Sequence, residues 1–144
     1  MKVVINKCFG GFGLSNLALK RYVELKGLTP YFYEEDYSNK KFIKIPYDNK
    51  RVFLTYCIAE DLGNIIEYDK FWEWQKQNKE KYFCNYDIKR NDKDLIQVIE
   101  ELGCEKSSGA YASLKVIEIP DNISWEIEEY DGMETIEEAH RSWC

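Results

Sequence analysis

Two stretches of the chain hold residue types able to recognise a small molecule. The first is Lys7 to Gly13, KCFGGFG, between a short apolar run and a serine. Glycines let backbone amides converge, and a helix start beyond Ser15 adds partial positive charge. Gly10, Gly11 and Gly13 could therefore hold a phosphate or carboxylate. Their spacing matches neither G-x-G-x-x-G nor the P-loop, and no G-K-[ST] follows. The favoured expectation is a tight strand-to-helix turn plugged by Phe9 and Phe12, with anion binding second. The other stretch spans residues 82–91: Tyr82, Phe83, Asn85, Tyr86, Lys89, Arg90 and Asn91. It combines rings that could stack on a base, amides that could read its edge, and cations beside a helix start that could hold phosphates. A core aromatic cluster followed by an ordinary polar cap fits the same residues equally well. If a small anion binds, it is expected at Arg90 and Asn91, with Tyr82, Phe83 or Tyr86 as the stacking ring.

Catalytic sets are harder to assemble. Cys8 beside the glycine loop could be an activated nucleophile, but it would want a base. The only histidine is His140, beside Arg141 near the other end, so an inert thiol is the expectation. Glu126 and Glu128 share one face of a strand and Asp131 follows, yet acid clusters on strands are usually solvated. No histidine accompanies them as a metal ligand. The expectation is a protein that is not an enzyme and uses no cofactor or metal.

Composition narrows the class further. The chain has 144 residues, a length suited to one domain with its own core. No run approaches the ~18 apolar residues of a membrane span, and MKVVINKC lacks the pattern of a signal peptide. A cytoplasmic location, with no membrane partner, is expected. The five cysteines (Cys8, Cys57, Cys84, Cys104 and Cys144) are odd in number and form no C-x-x-C pair, so all are expected reduced. Net charge is −6, which argues against gripping a long nucleic acid. Aromatic residues are abundant, with four Trp, eleven Tyr and seven Phe. That is enough to supply a core and also an interface or stacking site. A homodimer or higher homo-oligomer is expected.

Periodicity and turn chemistry supply the framework. Residues 2–6 read as a buried strand, and Ser15 as the N-cap of a helix running to about Lys26. Strand signals lie at 31–33, 42–45 and 52–56, with turns at Ser38–Asn39 and Asp48–Asn49. Residues 60–81 fit either a helix or a long polar excursion with aromatic anchors. Asn91, with Asp94 three residues on, opens a second helix in which Leu95, Val98, Ile99 and Leu102 share a face. A polar loop is expected over 104–111. Strands follow at 112–119 and 123–130, the latter with Ile123, Trp125 and Ile127 on one face and Ser124, Glu126 and Glu128 on the other. Asp131–Gly132 is a turn, and 133–142 is expected to be a final short helix. The fold class is α+β: a single compact domain over 1–144, mostly antiparallel sheet with two or three helices.

Three segments carry a family resemblance: VINKCFGGFGLS at 4–15, KRNDKDLIQVIEELG at 89–103, and LKVIEIPDNISWEIEEYDGMETIEEAHRSW at 114–143. They resemble a family of small proteins encoded in phage and prophage genomes. Lys93 stands where that family commonly has proline, and Ala110 where it commonly has a basic or polar residue. In length and layout the chain is also similar to the Thoeris anti-defence sponges, which bind cyclic ADP-ribose isomers without cleaving them. The resemblance implies a phage-encoded counter-defence protein in the host bacterial cytoplasm. Its expected role is to sequester a nucleotide-derived immune signal, a cyclic ADP-ribose isomer or cyclic oligonucleotide. The alternative is an acidic inhibitor that binds a host protein.

Overall fold

A computed structural model of the chain describes residues 1–47 and 55–139. The fold is α+β, and among the described residues every strand pairing is antiparallel. The chain divides into two compact units. The first joins Met1–Ser15 to Lys89–Cys144, and the second is Asn16–Ile88.

In the first unit, β1 (Lys2–Asn6) pairs with β7 (Leu114–Glu118). Val3, Val4 and Ile5 are buried in succession, so this short strand is covered on both faces. Helix α3 (Lys93–Leu102) buries Leu95, Val98 and Ile99, the stripe expected from its spacing. Its N-cap is Asp92, whose carboxylate accepts from the Asp94 amide at 2.8 Å. The cap expected at Asn91 is therefore one residue further on. A four-residue helix, α4 (Cys104–Ser107), stands at the start of the expected polar loop.

The hairpin β8 (Trp125–Tyr130) and β9 (Met133–Glu138) closes this unit. Trp125 and Ile127 are half-buried while Glu126 and Glu128 are exposed, as the alternation implies. Residues 133–138 form a strand, not the helix expected from their sequence; residues 140–142 lie outside the described part. Met, Glu and Ala favour helix locally. The two-residue turn wins, because Asp131 at φ 50° and Gly132 at φ 90° take the backbone conformations that fold a strand back on itself.

In the second unit, α1 (Asn16–Leu25) buries Ala18, Leu19, Tyr22 and Val23. It ends in a Schellman turn: Leu28 N–H donates to Val23 O, Gly27 N–H donates to Glu24 O, and Gly27 sits at φ 79°. Strands β2 (Tyr31–Asp36), β3 (Lys41–Ile45), β4 (Thr55–Ile58), β5 (Ile65–Glu67) and β6 (Tyr82–Phe83) form one sheet in the order β5-β3-β2-β4-β6. Residues 52–54 of the expected third strand, and the Asp48–Asn49 turn, lie outside the described residues.

The ambiguous stretch 60–81 resolves into β5, helix α2 (Tyr68–Gln77) and a 3₁₀ turn at Lys79–Lys81. Tyr68, Phe71 and Trp72 fall at i, i+3 and i+4, which puts three rings on the side of α2 that meets the sheet. Phe71 stacks on Phe42 with centroids 4.0 Å apart. Tyr33 and Ile58 complete the fully buried cluster. Much of the aromatic surplus is spent here.

Candidate functional site

Arg90, expected as an exposed anchor for a ligand phosphate, is already engaged. Its Nη1 and Nη2 donate to Glu134 Oε1 and Oε2 at 2.6 and 2.8 Å, a bidentate pair. Glu134 has 5 % side-chain exposure and Arg90 20 %. The guanidinium also lies over the Phe12 ring, 3.5 Å from its centroid. Glu134 Oε1 accepts a further bond from the Asn6 amide at 2.8 Å.

Asn6 extends this network. It is fully buried, donates through Nδ2 to Cys8 O and Gly132 O, and accepts from the Ser113 amide through Oδ1. Its side chain thus ties the glycine loop, the β8–β9 turn and the start of β7 to one point. A paired arginine whose carboxylate partner is buried and fully bonded has little left to offer an anion.

The other residues of the expected site part company. Lys89 and Asn91 are exposed members of the first unit, and Asn91 does not cap the helix. Tyr82 and Phe83 belong to the second unit and serve its packing. Tyr82 lies against Tyr56 and Phe71, and Phe83 meets Tyr22 edge-on. Burial pushes the Tyr82 hydroxyl up to about 12, and the nearby Cys84 and Asp87 add to it. The side chain of Tyr86 lies outside the described part of the structure.

At Gly10 the glycine loop packs against protein. A Cβ on Gly10 would lie 1.8 Å from the Tyr111 carbonyl oxygen. A Cβ on Gly132 would lie 2.5 Å from the Gly11 nitrogen and 2.7 Å from the Phe9 oxygen. Gly109 N–H donates to Gly13 O at 2.8 Å. Gly10, Gly109 and Gly132 let three loops approach backbone to backbone, whereas the space beside Gly11 is open. Phe12 is half-buried as a plug beneath Arg90, but Phe9 is 60 % exposed and plugs nothing.

Two further rings are exposed at this junction. Tyr111, which touches Gly10, is 72 % exposed, and Tyr130, which precedes the Asp131–Gly132 turn, is 80 % exposed. The sequence offered a clue to Tyr130, because alternation puts it on the outward face with Glu126 and Glu128. Phe9 and Tyr111 sit in loops without periodicity, and nothing in their neighbours marks them.

Charge is distributed unequally. The first unit holds eight lysines and arginines against fourteen aspartates and glutamates, which accounts for the whole formal net charge of −6. Glu126 stands directly opposite Glu137, both exposed. Among the described residues no cation pairs with Glu126, Glu128, Glu129 or Glu137. Like charges opposite one another weaken a hairpin.

Cys8 donates its thiol to Tyr111 O at 3.0 Å, an arrangement that ties down a loop. His140 and Cys144 lie outside the described residues. Cys8, Cys57, Cys84 and Cys104 are free thiols, and burial pushes Cys57 up to about 12. Among the described residues no group of His, Cys, Asp and Glu could hold a metal ion, and no helix is long and apolar enough to cross a membrane. No protein-family model, curated protein or solved structure matches the chain.

Proposed function

We propose that this chain is a non-enzymatic protein that acts by occupancy, binding a basic surface of a partner protein. The observation that carries this reading is the acidic hairpin: Glu126 and Glu137 face each other exposed, in the unit that holds all the net negative charge. A cationic partner would relieve that repulsion and be steered toward it. In the setting implied by the phage resemblance, the chain is a counter-defence inhibitor in the bacterial cytoplasm, and the partner is a host protein. Its copies associate as a homodimer or higher homo-oligomer. Ile43 and Ile65, an exposed cross-strand pair on the second unit, favour this.

Sequestration of a nucleotide-derived signal is the second reading. The exposed rings Phe9 and Tyr111 favour it, since rings stack on bases. It ranks lower because Arg90 is engaged by Glu134 and the surrounding unit is acidic. Native mass spectrometry of the chain purified at low salt from infected cells separates the two. A bound protein, lost on Glu126→Lys and Glu137→Lys substitution, supports the first reading. A bound nucleotide mass, unaffected by those changes, replaces it with the second.

A further inference from the structure

We propose that Phe9, Tyr111 and Tyr130 form an aromatic platform that receives arginine side chains from an extended segment of the partner protein. This rests on the basic-partner reading and gives it a site. The three residues come from three segments held together by the contacts of Gly10 with Tyr111 and of Gly132 with Phe9 and Gly11. Their exposures are 60, 72 and 80 %. Large rings left this open on three segments that meet backbone to backbone are the usual material of a recognition surface. Because the junction is built from backbone contacts and the Asn6 bonds, presenting the rings requires no reordering of the loops.

Charge complementarity selects the occupant. Glu128, Glu129 and Asp131 flank Tyr130 and are exposed, and Lys7 is the one cation in residues 7–14, 107–113 and 128–133. A phosphate here would meet carboxylates. A guanidinium would meet ring faces and carboxylates together, which suits its planar, weakly hydrated charge better than it suits a lysine ammonium. The fold already makes this arrangement once, half-buried, where Arg90 lies on Phe12 and is held by Glu134.

The test compares an oligo-arginine and an oligo-lysine peptide of equal length, each labelled and titrated by fluorescence anisotropy at low and physiological salt. The wild-type chain should bind oligo-arginine more tightly than oligo-lysine. Combined Phe9→Ala, Tyr111→Ala and Tyr130→Ala substitution should weaken oligo-arginine by about tenfold or more. It should change oligo-lysine little and leave circular dichroism and thermal midpoint unchanged. Should the combined variant not fold, Tyr130→Ala alone, at the most exposed ring, should weaken oligo-arginine by about threefold. Equal affinity for the two peptides, or an unchanged affinity in the ring variants, overturns the platform. Glu126→Gln with Glu137→Gln should weaken both peptides alike. If the ring variants bind normally while this acid variant is weakened, only the platform fails. If the wild-type chain binds neither peptide, the platform and the basic-partner reading fail together.

Discussion

Arg90 illustrates how a side chain's role depends on a partner far away in sequence. Beside Lys89 and a helix start, it has the profile of an exposed anion contact. Its partner, Glu134, lies 44 residues later in a tract of acids that look alike. The helical expectation for 133–142 hid Glu134 further, because only a strand puts it inward while Thr135 and Glu137 point out. Arg90→Ala should therefore destabilise the fold by about 3 kcal/mol, since it strands a buried carboxylate. Denaturant unfolding should register this, whereas Lys89→Ala, an exposed neighbour, should change stability by less than about 0.5 kcal/mol. A null result for Arg90→Ala would mean that the pair contributes nothing to folding.

Turns and contacts between loops decided where sequence periodicity was a good guide and where it was not. Helices α1 and α3 and the inward face of β8 were legible because each repeats its apolar residues at a fixed spacing, and the β1 and β7 segments because they are short runs rich in β-branched residues. The junction of the glycine loop was not legible, because close backbone approach leaves no periodic trace. Gly10→Ala should be costly, about 3 kcal/mol, because the added methyl meets the Tyr111 backbone and only a shift of the loop relieves it. A thermal melt checks this; a small loss would mean that the loops can separate freely. The aromatic core of the second unit makes a separate prediction about pH. Burial raises Cys57 from 9.0 to about 12, and raises Tyr56 and Tyr82 from 10.0 to about 12. Each group holds its proton more tightly folded than unfolded, so the stabilisation is complete below pH 9 and is lost as pH rises toward 12. Unfolding midpoints should fall over that window, and Cys57→Ala should make the fall shallower between pH 9 and 10.

The chain as a whole pairs a charge-balanced unit with an acidic one, and the fully buried ring cluster lies in the former. The net charge and its concentration in the acids of 126–138 were legible in the sequence; that the acidic unit also takes in the first fifteen residues was not, because it is assembled from both ends of the chain. Light scattering should give a dimeric or larger mass, and Ile65→Lys, at the exposed edge of the sheet, should shift it toward monomer. A monomeric mass for the wild-type chain at micromolar concentration would remove the self-association reading. The most direct measurement of the central proposal is native mass spectrometry of the chain isolated at low salt from infected cells, beside its Glu126→Lys and Glu137→Lys variant. A bound basic protein that leaves with added salt and is missing from the variant is the predicted result. A small nucleotide mass carried equally by both forms would contradict it.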